Sequence, residues 1–156
     1  MEEILYSIFG FLVAVGVLVT VHEWGHYAAA RLVGVRVLKF SIGFGRSVWE
    51  RSWGGDGTTY AIGIVPLGGY VKMLGEGGGD VLPGEEHRAF DKKPLWARAF
   101  VVSAGPVANL WLAVMIYWLV SLIGIVGLPP VVGAVQPASV AQAAGFRVDD
   151  RILTVN

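Results

Sequence analysis

There is no cysteine among the 156 residues. Disulfides and thiolate metal sites are excluded, so any transition-metal site must draw on His, Asp or Glu. Charge is scarce too: Asp, Glu, Lys and Arg make up 15% of the chain, against about 25% in a typical soluble domain. Twelve basic residues balance twelve acidic ones. No basic patch tracks along the sequence as it does in phosphate-backbone binders, and no nucleic-acid partner is expected. What is abundant is apolar: 54% of the residues are hydrophobic and mean hydropathy is +0.61. Such a chain is expected to be solvated partly by the lipid bilayer.

Two long apolar runs carry that expectation. Ile4 to Val21 is uncharged, and the run continues through Ala30 broken only by His22, Glu23 and His26. From Ala99 to Phe146 there is no charged residue, and the dense apolar part, Phe100 to Leu128, ends at Pro129-Pro130. About 20 apolar residues cross the hydrocarbon core as a helix. A secretory signal peptide fits the first run poorly, because it opens on Glu2-Glu3 where a signal peptide carries positive charge. Ten of the twelve Lys and Arg lie between the runs, from Arg31 to Arg98, and none precedes the first. The excess of positive charge predicts residues 31–98 in the cytoplasm, with the N-terminus and everything after 129 outside.

The sequence therefore predicts a mainly α membrane protein with a β region between two spans. The first transmembrane helix is expected over 1–30, a membrane-associated β region over 31–74, a cytoplasmic connector over 75–98 and the second transmembrane helix over 99–128. Ser47 to Trp53 and Thr58 to Ile64 are rich in β-formers and separated by Gly54-Gly55-Asp56-Gly57, a hairpin signal. Gly69 to Met73 reads as a third short strand. Residues 75–88 read as a flexible connector, and Phe90 to Phe100 as an interfacial approach to the second span. After 129, Val131 to Val135 and Arg151 to Val155 suit strands, and Ser139 to Ala144 a short helix with Ser139 as N-cap. Those last residues are too few to bury a core, so the chain is expected to be part of a longer protein.

The chemistry is concentrated in His22-Glu23-Trp24-Gly25-His26, an H-E-x-x-H pattern. Residues four apart share a helix face, so His22 and His26 can offer imidazole nitrogens to one zinc ion. Glu23, one residue along, is set to act as catalytic base on a zinc-activated water. Chance produces the pattern in roughly one such chain in 400, and ionisable groups inside a span are costly and by default functional. Catalytic zinc usually takes three protein ligands plus water. Asp56, Glu76, Asp80 and Asp91 lie in loops on the cytoplasmic side, none with supporting context, and His87 reads as solvated. The third ligand is expected beyond Asn156. In the second span, Pro106 frees a backbone carbonyl, Gly105 allows close helix approach, and Asn109 is placed to bind substrate backbone or hold the zinc helix.

Four motifs in order, His22-Glu23-Trp24-Gly25-His26, Phe40-Ser41-Ile42-Gly43-Phe44-Gly45, Pro66-Leu67-Gly68-Gly69-Tyr70-Val71-Lys72-Met73 and Ala104-Gly105-Pro106-Val107-Ala108-Asn109, resemble the site-2 protease family, and within it the bacterial regulator-of-sigma-E branch. The resemblance implies a zinc metalloendopeptidase of the bacterial inner membrane. Its substrates would be single-span membrane proteins, either anti-sigma factors or signal-peptide remnants. It carries the metal ligands onto His22 and His26, the general base onto Glu23, a substrate-proximal element onto Gly43, Phe44 and Gly45, and the second-span asparagine onto Asn109. It makes 47–73 a re-entrant β-hairpin and 129–156 the start of a PDZ-like domain. The family's third ligand, an Asp in a Leu-Asp-Gly motif, has no counterpart in these residues. The competing reading is a non-catalytic membrane scaffold that binds partners through the outer domain.

Overall fold

In the computed structural model the first apolar run forms one helix, α1, over Glu2–Leu32. Glu2 and Glu3 face the positive end of its dipole and Arg31 the negative end. It stops at a Schellman motif: Gly34, at φ +70°, donates to the Arg31 carbonyl and Val35 to the Ala30 carbonyl. The matching apolar contact is in place, since Ala30 and Val35 are both buried. The structure describes residues 1–79, 81–124 and 130–153.

Strands β1, Val37–Trp53, and β2, Thr58–Met73, pair antiparallel. Each is long enough to be used twice. Phe40 lies opposite both Tyr60 and Val71, Tyr60 opposite both Phe40 and Arg51, and Ile62 opposite both Ile42 and Trp49. In cross-section the sheet is thus four ribbons in the order 47–53, 58–63, 37–42, 69–73. The expected third strand, Gly69–Met73, is continuous with β2 and forms one edge of the sheet. The turn closes where the glycines predict it, with Gly57 donating to the Gly54 carbonyl.

The inner face of the sheet and the last turns of α1 share a small core of Ala29, Ala30, Val35, Val37, Val71 and Met73, joined by Val101 from the second apolar run. Tyr27 bonds the Tyr60 hydroxyl at 2.9 Å and packs edge-on against Phe40. Residues 75–93 do not behave as a free connector along their described length. They form three one-turn 3-10 segments, and the chain is stitched back by Arg36 N–H to the Arg88 carbonyl and Phe90 N–H to the Leu74 carbonyl.

Helix α2 covers Leu95–Ile123. It starts four residues earlier than its uncharged stretch, because the Pro94 carbonyl accepts from Ala97 and Arg98 and opens the first turn. The expected continuation to Leu128 falls on 125–129, outside the described residues. Both α1 and α2 are long and apolar enough to cross a membrane, and their apolar side chains are largely exposed.

The chain forms two units, Met1–Tyr117 and Trp118–Asn156. In the second, Ser139 caps a single turn, α3, over Val140–Ala143, its side chain accepting from Gln142 N–H. The strand expected over Val131–Val135 is reduced to one bridge, Val131 with Arg151. The hydrogen bonds Val132 to Asp150, Asp149 to Val132 and Ile152 to Pro130 give only a short ribbon. Its expected partner strand runs to Val155, which with 154 and 156 lies outside the described residues.

Candidate metal centre

His22 and His26 stand one turn apart on α1, in the part of the helix that meets α2. Their Nε2 atoms are 3.2 Å apart. Two nitrogens bound tetrahedrally to one zinc at about 2.0–2.1 Å would be about 3.3–3.4 Å apart, so the pair is spaced for a shared ion. The rings meet edge to face with centroids 4.8 Å apart.

Helix α2 shapes the space in front of them. A Cβ on Gly105 would fall 2.7 Å from His22 Nε2 and closer still to His26 Nε2. The missing side chain of Gly105 is therefore what leaves a cradle over both ring nitrogens. Gly25 does the same for the backbones: a Cβ there would lie 2.5 Å from the Ala104 carbonyl oxygen and 2.8 Å from the Ala108 methyl. Close approach of α1 and α2 rests on these two glycines.

The outer nitrogens of the rings are also engaged. His26 Nδ1 lies 2.8 Å from the Val101 carbonyl oxygen. A carbonyl only accepts, so Nδ1 carries the hydrogen and the neutral ring keeps its Nε2 lone pair for a metal. His22 Nδ1 lies 3.3 Å from Asn109 Nδ2. Val101, Gly105 and Asn109 are spaced four apart and form one stripe of α2 opposite the two histidines. The donor set, its spacing and the cradle fit zinc.

Glu23 is half-buried between two cavities. One, of about 310 Å³, is lined by Leu18, Val19, His22, Glu23, Phe44, Gly68, Gly69 and Asn109. The other, of about 320 Å³, brings Glu23 and His26 together with Tyr70, Met73, Glu76 and Phe90. Gly69 touches both, and a Cβ on it would meet Glu23 Cγ at 2.9 Å. The sheet edge 69–73 therefore runs past the Glu23 side chain.

Of the other sequence-predicted residues, Phe44 reaches the first cavity, its ring stacked on Tyr70 at 6.5 Å between centroids. Gly43 and Gly45 flank it without lining that cavity. Gly43 is packed on the β2 backbone at Gly63 and Val65, and Gly45 is exposed. Asp56 is taken up by ion pairs with Arg31 and Arg88. The Arg88 hydrogen bond, aided by the charges of Arg88, Arg31 and Arg36, holds its carboxyl below the usual carboxylate range. Asp91 pairs with Lys92, and His87 is exposed on a 3-10 turn. Among the described loop carboxylates Glu76 alone lines a cavity with His26, but its Oε2 accepts from Met73 N–H at 3.0 Å. Asp80 lies outside the described residues. Among the described residues no three His, Asp or Glu side chains gather to hold a metal. The sequence reading missed Val101, Gly69 and Tyr70. Val101 was open to discovery, since it lies four residues before Gly105 as Asn109 lies four after.

Residues 10–154 match the sequence profile of peptidase family M50. The chain is 49% identical over 146 residues to protease RseP of Yersinia pestis, covering 94% of this chain and 32% of that protein. Regulator of sigma-E protease RseP of Escherichia coli K12 is also 49% identical over 146 residues, covering 92% and 32%. Regulator of sigma E protease of Haemophilus influenzae is 44% identical over 153 residues, covering 97% and 34%. The chain spans about a third of the length of these relatives. A profile match over nearly all its residues, with relatives of this similarity, shows that the chain belongs to peptidase family M50, the site-2 proteases.

Proposed function

We propose that this chain supplies the catalytic helix of an intramembrane zinc metalloprotease that hydrolyses peptide bonds of single-span membrane proteins. The observation that carries the reading is the convergence of His22 Nε2 and His26 Nε2 under the side-chain-free face of Gly105, with Glu23 on the same turn. Zinc as the metal is further supported by a Vibrio cholerae relative, 50% identical over 157 residues and matched over 34% of its length, whose assigned name is that of a zinc metalloprotease. Relatives named as regulators of sigma-E support substrates of the anti-sigma-factor type; leftover signal peptides rest on the family resemblance alone.

Bound zinc would supply Lewis acidity and lower the pKa of water toward neutrality. The work of the chain's own residues is then threefold. His22 and His26 hold the ion, and the Val101 carbonyl fixes the His26 ring. The Glu23 carboxylate accepts a proton from the attacking water and delivers it to the nitrogen of the departing amine. The edge 69–73 pairs with an unwound substrate segment by strand addition, which brings a peptide carbonyl past Gly69 to Glu23. The N–H groups of that edge support this role. Leu74 N–H turns inward to the Arg36 carbonyl, so Met73 N–H, one residue earlier, points away from the sheet, where it donates to Glu76 Oε2.

A third zinc ligand belongs, on this reading, to an Asp in the remainder of a longer protein, and the length of the relatives leaves room for it. Residues 129–156 would open a PDZ-like domain outside the bacterial inner membrane, with 31–98 in the cytoplasm.

Glu23→Gln tests the reading. The variant should keep its zinc while cleavage of a membrane-embedded substrate falls about 10²–10⁴-fold; a Gln variant that cleaves as fast as the parent sinks it. Val71→Pro removes an outward N–H of the edge and should abolish cleavage with zinc retained. Unchanged cleavage would remove strand addition from the mechanism.

A further inference from the structure

We infer that Asn109 is a positioning residue for His22: with metal bound, its amide oxygen accepts the His22 Nδ1–H, as the Val101 carbonyl does for His26. The inference rests on the zinc reading above and assigns Asn109 to the metal rather than to the substrate.

The two histidines face the same cradle but are braced differently. His26 has an acceptor on Nδ1 at 2.8 Å, which fixes the tautomer that leaves Nε2 bare. Among the described residues His22 Nδ1 meets the Asn109 amide alone, its NH2 group lying 3.3 Å away. An NH2 donating to Nδ1 puts the ring hydrogen on Nε2, where it can point at His26 Nε2 3.2 Å away. That arrangement closes a chain of donors from Asn109 through His22 and His26 to Val101 without a metal. It cannot persist once His22 Nε2 must give a lone pair to an ion, because Nδ1 then carries the hydrogen and needs an acceptor.

The acceptor is already at hand. Asn109 Oδ1 is buried and has no hydrogen-bond partner among the described residues. A half-turn of the amide about its last torsion exchanges Oδ1 for Nδ2, breaks no bond of the oxygen, and offers that oxygen to His22 Nδ1. The two acceptors then come from positions 101 and 109, one helical step on either side of Gly105, so a single face of α2 provides the cradle and both braces. Partners of this kind orient ligating histidines, and their loss typically costs 10–100-fold in metal affinity.

The test uses the whole protein in lipid nanodiscs, stripped of metal and titrated with zinc against a chromogenic chelator. Asn109→Leu should bind zinc about 10–100-fold more weakly, while Asn109→Asp, which always turns an oxygen to Nδ1, should stay within a few-fold of the parent. In the zinc-loaded parent labelled with ¹⁵N-histidine, His22 should carry its proton on Nδ1. Zinc held equally by Asn109→Leu, or lost equally from Asn109→Asp, overturns the inference, as does a proton on His22 Nε2. A rise in KM for Asn109→Leu with zinc affinity unchanged overturns it as well, in favour of substrate binding. Should Asn109→Leu fail to fold, the ¹⁵N spectrum of the parent and the affinity of Asn109→Asp still decide. A parent that binds no zinc, or binds it as well without His22 and His26, sinks the zinc reading itself and is a distinct result.

Discussion

From Glu2 to Ala14 every residue of α1 is exposed, whereas Gly25, Ala29 and Ala30 near its other end are buried. The same helix thus meets two kinds of surroundings. Its first half presents Phe9, Phe11 and Leu12 outward, and lipid asks of such a surface only that it be apolar. Its second half touches α2 and the sheet through glycine and alanine, where fit is set to a fraction of an ångström. The ionisable groups sit where protein replaces lipid, since there each nitrogen can find a partner. Apolarity keeps the helix in the bilayer, and shape determines what it can hold.

The contrast breaks most severely at Gly105→Val. The added branches would occupy the cradle over both ring nitrogens, so zinc content measured on the purified protein should fall at least about 100-fold in affinity, as expected when ligand geometry is lost. Gly25→Val comes next. It forces its Cβ against the Ala104 carbonyl and the Ala108 methyl, and overpacking of this kind typically costs about 1–3 kcal/mol, read as a lower midpoint of thermal unfolding in detergent.

Asp56→Asn should have a smaller effect. The Arg88 hydrogen bond holds the Asp56 carboxyl below its ordinary range, so folding favours the charged form. Its contribution is complete above the ordinary carboxylate range and is lost as pH falls through and below it. The parent should lose stability on acidification more steeply than Asp56→Asn, and thermal melts from neutral to acid pH compare the two. Phe9→Ala should do least. Phe9 is 68% exposed, and substitutions at such positions stay within about 0.5 kcal/mol. A large drop in melting temperature there would erase the distinction between the two halves.

The same distinction governs what could be read from the sequence. The two apolar runs and the turn carrying His22, Glu23 and His26 were legible because helix period and residue chemistry are local. The Gly54–Gly57 turn was legible for the same reason. The extent of the strands was not. Gly43 and Gly45, at φ +87° and +82°, look like breaks, yet they sit within β1, where its register against β2 shifts. Residues 131–135 have β composition, but only Val131 forms a bridge, to Arg151. Asn109 stood out as a polar residue in a span. That it faces His22, 87 positions away, is a tertiary fact. Gly105 could be read as allowing close packing. Only the packed helices show which two atoms occupy the space it leaves.

Asp56 sits in the turn between β1 and β2, ordinarily the part of a hairpin most forgiving of inserted residues. Here its side chain is held by Arg31 at the end of α1 and Arg88 before α2, and its carbonyl receives Arg36 Nε. A peptide tag grafted between Gly54 and Gly57 would pull those guanidinium groups away from one another and unsettle parts of the chain distant in sequence. The more tolerant graft point is Leu82–Gly84, three exposed residues without charged side chains, held by Glu85 N–H to the Leu82 carbonyl and Gly84 N–H to Glu86 Oε2.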